Sequence, residues 1–437
     1  MKRTMMWAII ALTMITTQWA CSSDSDEMTE PTHTICLPVE LADTVALPTT
    51  LTLTRSEQEM VNQSNQFAFR LFERITDPGC FGTYDGAKGI IISPLSITHA
   101  LGMLNNGAAG ETQQQINEVL GFGSQGADSI NAFCYKMLKR GPMIDSLTKV
   151  LISNTIFLNK DYTLKTDFVN KARLFYEAEP ETRDFHDGNT LNVINKWAAD
   201  HTEQMIQKVL DESEFNTEAV SYLLNAIYFK GAWTCKFDKA ETVQEPFKHI
   251  GNTKDMTYCQ MMHQRRTFNY GETDDYQILQ LPYGNQSFNM TILLPKGQTN
   301  SMPNIPTAEQ WTELNRRLFA HLVDVKLPCF ESETKLHLND IMCDLGMPNA
   351  FSDRKADFRY FADRPTFIGL MKQAAKIKVN EEGTEAAAVT VIGMQTTSLV
   401  EPLHDEYITF HANHPFLYVI SEKTTGAVYF IGVYTGY

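Results

Sequence analysis

The alternation of hydrophobic and polar residues changes along the chain, from a helical period near residue 60 to a strand period beyond residue 150. Met60, Phe67, Leu71 and Ile75 fall on one face at helical spacing, which predicts an amphipathic helix. The sequence SEQE at residues 56–59 matches a capping box and predicts that this helix begins there.

The rest of the chain contains apolar runs of strand length and some further helical segments. Ser93 and Pro94 supply an N-cap and a first-turn proline for a second helix. Further helices are predicted at residues 111–120 and 191–210, and strands at residues 90–92, 150–158, 221–229 and, with turns, 256–294. Because helices dominate early and strands late, without a strand–helix–strand rhythm, we expect an α+β fold with large, mainly antiparallel sheets.

The composition is that of a globular protein with a large core. The chain has 437 residues, of which 43% are hydrophobic. Since no linker or internal repeat interrupts residues 54–437, a single domain is expected there. The formal net charge of −15 repels phosphate groups, so nucleic acid is not an expected partner.

Sequence motifs for catalysis or metal binding are not found. The chain has no G-x-S-x-G, H-E-x-x-H or P-loop pattern, so no catalytic residue is assigned and the protein is not expected to be an enzyme. No two cysteines stand in C-x-x-C spacing, and the histidines are scattered. We therefore expect neither a metal site nor a cofactor.

The N-terminus has the pattern of an export signal. A basic start and an apolar run at residues 5–15 precede Trp-Ala-Cys at residues 19–21, which predicts a signal peptide over residues 1–20. The pattern resembles a bacterial lipoprotein signal, in which Cys21 becomes the lipidated first residue of the mature protein. A plain secretory signal is the alternative.

The segment that follows the signal is polar. Residues 21–53 are expected to form a tether, and the acidic run at residues 22–30 resembles the surface-export signal of some bacterial lipoproteins. We therefore expect an extracytoplasmic protein that is attached to the bacterial outer membrane by a lipid on Cys21. The cell surface is one location consistent with this pattern, and the sequence leaves the membrane leaflet open.

A segment near the C-terminus combines a strand pattern with unusually small side chains. The alternation of residues 376–380 is broken by Glu381, Glu382 and Gly383. In a continued strand, one face would carry Thr384, Ala386, Ala388 and Thr390, and the other Glu385, Ala387 and Val389. Such a segment can enter a packed sheet without a steric clash, but it has little apolar area to drive its own entry.

This segment and four other motifs resemble those of the serpin family. Residues 381–388 resemble the hinge of inhibitory serpins nearly letter for letter. The other matches, in order, are residues 65–71 in the first helix, 92–97 at the start of the second, 224–233 in a strand near the sheet opening, and 414–420 with 426–432 in a C-terminal hairpin. The chain is therefore identified as a member of the serpin family over essentially the whole domain.

The resemblance implies a fold and a mechanism. The expected fold has three mainly antiparallel β-sheets, about eight or nine helices and an exposed reactive-centre loop at about residues 383–409. The expected activity is suicide inhibition of serine proteases by a monomer: the protease cuts the loop and becomes covalently attached, and the freed hinge inserts into the central sheet. The alternative is a non-inhibitory serpin that acts as a binding or structural protein, which the small hinge residues disfavour.

The same resemblance places the bond that a protease would cut. Counting from Glu381 as in inhibitory serpins predicts cleavage between Thr397 and Ser398. A small β-branched residue suits the shallow primary pocket of elastase-like or subtilisin-like proteases, and the loop contains no Arg or Lys for a trypsin-like one. The distal part of the loop is longer than usual, so two alternative bonds stay open, Met394–Gln395 and Leu399–Val400.

The resemblance also implies a polar cluster beneath the central strands, where the sheet must open. Ser93, Ser96 and Asn225 match family residues of this cluster, and the usual histidine is replaced by Gln373. An amide can donate and accept hydrogen bonds, so the network is expected to persist without pH sensitivity at this position. Trp233 matches a residue near the sheet opening.

Overall fold

The computed structural model describes residues 50–77, 89–123, 125–250, 256–297, 302–384 and 407–436. All of them belong to one compact unit, Ile35–Tyr437. The predicted signal peptide, Cys21 and nearly all of the tether lie outside the described residues, as do residues 385–406 of the predicted loop.

Eight α-helices occur in the described residues, in agreement with the predicted number. They are α1 Arg55–Thr76, α2 Pro94–Asn105, α3 Gly110–Leu120, α4 Ala127–Arg140, α5 Thr166–Tyr176, α6 Thr190–His201, α7 Ala308–Arg316 and α8 Asn339–Leu345. In the part of the chain that the structure describes, none of them is long and apolar enough to cross a membrane.

The first two helices begin at side-chain caps. Helix α1 begins earlier than predicted, because Thr54 is its N-cap: the Thr54 hydroxyl accepts from the Glu57 N–H at 3.2 Å, and the Glu57 carboxylate accepts from the Thr54 N–H at 2.7 Å. This T-x-x-E sequence overlaps the predicted SEQE box and makes the same reciprocal bonds. The predicted cap of α2 is confirmed, since the Ser93 hydroxyl accepts from the Ser96 N–H at 3.3 Å.

The helix predicted over residues 191–210 is too long, because α6 ends at His201. The hydroxyl of Thr202 donates to the Ala198 carbonyl at 2.7 Å, and Glu203 and Gln204 have positive φ angles of 49° and 67°. Left-handed residues end a right-handed helix. Residues 202–220, here called the covering segment, therefore run without helix to the next strand.

Fifteen strands occur in the described residues. They are β1 Ile90–Ile92, β2 Thr148–Asn159, β3 Glu181–Arg183, β4 Ser221–Ala232, β5 Val243–Lys248, β6 Met256–Glu272, β7 Tyr276–Tyr283, β8 Phe288–Pro295, β9 Phe319–Pro328, β10 Phe330–His337, β11 Leu370–Asn380, β12 Gly383–Thr384, β13 Ile408–His411, β14 Phe416–Glu422 and β15 Val428–Tyr434.

The strands form two sheets in the described residues, rather than the three expected. A nine-stranded sheet has the order β1-β15-β14-β8-β7-β6-β9-β13, with β5 also on β6, and a six-stranded sheet has the order β10-β11-β12-β4-β2-β3. The 17-residue strand β6 explains the difference, because it pairs with β7 at its end and with β5 and β9 over the rest, and so joins two groups of strands. Pairing is mainly antiparallel, as predicted, with parallel pairs only at β2–β3, β4–β11 and β9–β13 among these strands.

The six-stranded sheet is covered on both faces. On one face lies α2, in which every residue is buried. On the other face, α6 and the covering segment form a second hydrophobic cluster with the sheet, made by Phe157, Phe185, Ile194, Ala198, Ile206, Val209, Leu210, Tyr222, Leu224 and Ala374. A sheet buried on both faces is held in place by packing as well as by its strand pairing.

Candidate functional site: the seam between β4 and β11

The boundary between β4 and β11, here called the seam, is closed at one end and occupied by a third strand at the other. Residues 370–375 of β11 pair directly with residues 222–227 of β4. Farther along, β12 lies between the two strands, where Thr384 pairs with Val379 of β11 and with Gly231 of β4. These two parts are called the closed half and the open half of the seam.

The short strand β12 is closely fitted to its place in the open half. The side chain of Thr384 is fully buried, and its hydroxyl lies 2.6 Å from the hydroxyl of Tyr283. Gly383 has a φ angle of 147°, and a Cβ atom at this position would lie 2.1 Å from the Gly231 carbonyl oxygen. Only glycine fits there, because both the backbone conformation and the space exclude a side chain.

The turn that leads from β11 into β12 is held by backbone bonds and by ion pairs. The carbonyl of Glu382 accepts from the Trp233 N–H at 2.9 Å, and the carbonyl of Glu381 accepts from the Phe237 N–H at 3.0 Å. The Glu382 carboxylate lies 2.7 Å from Lys236 Nζ and 3.2 Å from Lys239 Nζ. The hydrogen bond from Lys236 lowers the pKa of Glu382, so the carboxylate stays ionised in this place.

Trp233 connects this turn to the nine-stranded sheet. Its indole stacks on Tyr283, with ring centroids 4.4 Å apart and planes 12° apart. The indole Nε1–H donates to the Asn380 carbonyl at 2.9 Å. Trp233 therefore holds the end of β11 next to the residue that contacts Thr384.

A network of amides and hydroxyls fills the closed half on the side of α2. Gln373 Nε2 donates to Asn225 Oδ1 at 2.5 Å and to the Ser93 carbonyl at 3.0 Å, and Gln373 Oε1 accepts from the Ser93 N–H at 3.1 Å. Asn225 Nδ2 donates to Asn154 Oδ1 at 2.7 Å and to the hydroxyl of Ser96. All five residues are at most 3% exposed, so breaking the network leaves buried polar groups without partners.

The predicted site residues thus fall into two groups. Ser93, Ser96, Asn225 and Gln373 lie together in the closed half, whereas Trp233 and residues 381–384 lie in the open half. Hinge residues Glu385, Ala386, Ala387 and Ala388 lie outside the described residues, as do Met394, Gln395, Thr397, Ser398, Leu399 and Val400 of the reactive-bond predictions.

Two further residues of the site were not predicted. Asn154 lies opposite Asn225 in the β2–β4 register, and a single asparagine within the apolar run 150–158 was the available signal. Tyr283 contacts both Trp233 and Thr384, and no local pattern marks it, because it is distant from both in sequence. Within the described ranges, no group of three or more His, Cys, Asp or Glu is arranged to hold a metal ion.

Comparison with known proteins identifies this arrangement. The family model described as serpin (serine protease inhibitor) matches residues 62–436. This chain belongs to the serpin family. The human leukocyte elastase inhibitor is 30% identical over 394 residues, which cover 86% of this chain and 98% of that protein. An uncharacterised serpin-like protein of Methanosarcina mazei is 28% identical over 381 residues, 86% of each chain.

Solved serpin structures have the same fold. The native state of tengpin, a thermophilic serpin, aligns with a TM-score of 0.76 at 26% identity and covers 88% of this chain and 95% of its own. The prediction of the serpin family and fold is therefore confirmed. Serpins generally inhibit proteases rather than catalyse reactions, although some are non-inhibitory.

Proposed function

We propose that this serpin is a suicide-substrate inhibitor of serine proteases, which it traps by inserting its cut reactive loop into the seam. The observation that carries the proposal is β12, which already pairs with β4 and β11 in the open half. A cut farther along the loop would let the chain continue in the same direction between the two strands. The protease, attached to the cut end as an acyl-enzyme, would be carried along the sheet.

The register of β12 supports this proposal. Thr384 lies level with Val379 and Gly231, so in a continued antiparallel strand Ala386 and Ala388 would face the buried α2 side. Thr390 would come level with Gln373 and Asn225, which form a pair in the closed half. Its hydroxyl could join their amide network, and the small alanines could pass the packed core.

On the opposite face of the continued strand, a negatively charged residue would lie between two positively charged ones. Glu385 would come level with Lys378 of β11 and Lys230 of β4, both of which lie on the face away from α2. A carboxylate between two ammonium groups would gain favourable electrostatic contacts. Each hydrogen bond of the new strand contributes about 1 kcal/mol, so insertion becomes favourable only when many bonds form together.

The proposed targets are elastase-like or subtilisin-like serine proteases. Thr397 before the predicted bond is small and β-branched, which suits a shallow primary pocket. The similarity to the human leukocyte elastase inhibitor is consistent with such a target. Met394–Gln395 and Leu399–Val400 are retained as alternative bonds.

The test is to incubate the protein with pancreatic elastase, and in parallel with subtilisin. We expect an adduct that survives boiling in detergent. The mass of the released C-terminal peptide should show that its first residue is Ser398. Protease whose catalytic serine is blocked beforehand should form no adduct. Complete cleavage of the loop without any adduct would overturn the proposal and favour the non-inhibitory alternative.

A specificity variant tests the position of the bond. Thr397→Arg places a basic residue before the predicted bond, so the variant should trap trypsin, with the same C-terminal peptide released. The matched control is Met394→Arg. If only this second variant traps trypsin, the bond at Met394–Gln395 replaces the one at Thr397–Ser398.

We also propose that the protein is attached to the bacterial outer membrane through a lipid on Cys21, so that inhibition takes place outside the cytoplasm. The support is the signal-like N-terminus followed by the acidic polar tether. Changing Cys21→Ser should move the protein from the membrane fraction to the soluble fraction. Continued membrane attachment of that variant would overturn the lipid anchor.

A further inference from the structure

An ion pair between a buried lysine and a partly buried glutamate lies in the closed half, on the face opposite α2. Lys372 of β11 is 1% exposed, and its Nζ lies 2.5 Å from Oε1 of Glu214 in the covering segment. His337 of β10, which pairs with Lys372 across the strands, also contacts this oxygen at 2.5 Å. Glu214 therefore binds two strands that both lie on the β11 side of the seam.

The residues next to Glu214 bind the other side of the seam. The ring of Phe215 stacks on Tyr222 of β4, with centroids 5.7 Å apart. The Asn216 N–H donates to the Tyr222 hydroxyl at 2.7 Å, and this hydroxyl lies 2.9 Å from the Asn216 carbonyl. Three consecutive residues thus connect β4 to β11 and β10, across the boundary where residues 370–375 pair with residues 222–227.

A strand inserted into the closed half would break this connection. Neighbouring strands lie about 4.8 Å apart, so one added strand moves Lys372 and His337 away from β4 by about that distance. The covering segment is held to β4 by Tyr222 and by direct chain continuity at Ser221. The 2.5 Å contacts of Glu214 therefore cannot persist while the segment stays on β4.

We propose that Glu214 is a positioning residue that holds the closed half shut and so sets the threshold for complete insertion. The inference rests on the proposed function, because a seam that never opens needs no such control. The carboxylate is suited to this role because it stays ionised: burial raises its pKa, but the hydrogen bonds from Lys372, the Asp211 N–H and His337 outweigh burial and lower it to about 2.

Substitutions at Glu214 and His337 test this role. A cavity of about 320 Å³ is lined by Glu214, Tyr222, His337 and neighbouring residues, so Glu214→Gln fits without a steric clash. His337→Gln is a second, milder variant, because the His337 side chain is 51% exposed. The matched control is Glu331→Gln. Glu331 of β10 lies 2.8 Å from Nζ of Lys376 in β11, and this ion pair does not cross the seam.

The experiment compares the melting temperature of the full chain before and after its loop is nicked. We expect Glu214→Gln to lower the melting temperature of the intact form by several degrees and to leave the nicked form unchanged, with a smaller change of the same kind for His337→Gln. Glu331→Gln should shift both forms equally. Equal shifts of both forms in Glu214→Gln would overturn the inference, since they would indicate a purely structural role.

A second measurement is the number of inhibitor molecules consumed for each protease molecule trapped. Glu214→Gln leaves the buried ammonium group of Lys372 without its charged partner in the intact form, and the ion pair is absent after insertion in any case. The substitution should therefore speed insertion about tenfold, so that fewer molecules of this variant are lost to simple cleavage. An unchanged or higher consumption would overturn the inference. If nicking fails to raise the melting temperature of the unaltered protein, the proposed function itself fails, and the role of Glu214 fails with it.

Discussion

The two halves of the seam are built from the same pair of strands but are held in different ways. In the open half, two residues of β12 separate β4 from β11, and the contacts come from a hydroxyl pair, an aromatic stack and partly exposed ion pairs. In the closed half, the strands pair directly and are fixed on one face by buried amides and on the other by Glu214. Resistance to an entering strand is therefore concentrated in the closed half.

This difference indicates how a protein can accept the start of a strand and still oppose its completion. Small residues and a glycine admit β12 at little steric cost. Breaking the closed half requires several buried polar groups to lose their partners at once, and each such loss costs about 1–3 kcal/mol. Substitutions in each half test whether the two halves act in these separate ways.

The largest effect is expected from Thr384→Arg in the open half. A buried cation without a partner opposes entry by several kcal/mol, so the variant should be cleaved by elastase without forming an adduct. Thr384→Val is the control, since it keeps the size and removes only the hydroxyl. An adduct formed by the arginine variant in a detergent gel would mean that trapping does not require residue 384 to be buried in the seam.

In the closed half, Gln373→Leu should destabilise the intact protein by about 2–3 kcal/mol. The leucine removes the hydrogen bonds of Gln373 to Asn225 Oδ1 and to the Ser93 N–H. The Ser93 carbonyl loses one bond and keeps the one from the Ile97 N–H. Urea unfolding measures the change, and Gln373→His, which can still donate and accept, should recover part of it. A loss below about 0.5 kcal/mol in the leucine variant would show that this network does not hold the closed half.

Gly383→Ala should expel β12 while leaving the closed half paired. The added Cβ would meet the Gly231 carbonyl at 2.1 Å, and the backbone strain alone costs about 1–3 kcal/mol. In a hydrogen-exchange measurement, the backbone amide of Thr384 should then lose its protection and that of Gln373 should keep it. Equal loss of protection at both amides would show that the two halves do not open independently.

The smallest effect concerns pH. The pKa of Glu214 is about 2 in the folded protein, below its ordinary value of 4.5, so its ionised form contributes stability above about pH 4.5 that is lost as the pH falls towards 2. The difference in melting temperature between the unaltered protein and Glu214→Gln should therefore shrink over this range. A difference that stays constant from pH 6 to pH 2.5 would contradict the ion pair.

Several parts of this structure follow from local sequence, and others do not. The α+β class was predictable from apolar periodicity, and Ser93 was predictable as a cap because its bonds are made within one helical turn. The end of α6 was missed because Thr202 and two left-handed residues override an apolar pattern that continues to residue 210. The sheet count was missed because it depends on the partners of β6, which are distant along the chain.

The site shows the same division. Ser93 and Asn225 could be named because they stand in family motifs, and Gln373 because it takes the place of the usual histidine. The structure brings all three together. Glu214 could not be named, since it lies in an irregular segment and its partner Lys372 is 158 positions away. Ion pairs of this kind depend on how two segments that are distant in sequence pack together. Hydrophobic periodicity does not predict that packing.

The stacking of Trp233 on Tyr283 gives the protein a natural optical reporter. The indole is 3% exposed and donates to Asn380 at the end of β11, so any displacement of that strand alters its surroundings. Its fluorescence emission should shift when β11 moves away from β4, and no attached dye is needed. Trp233 directly follows β4 and donates to the last residue of β11, so substituting it by phenylalanine would identify its signal among those of the other tryptophans.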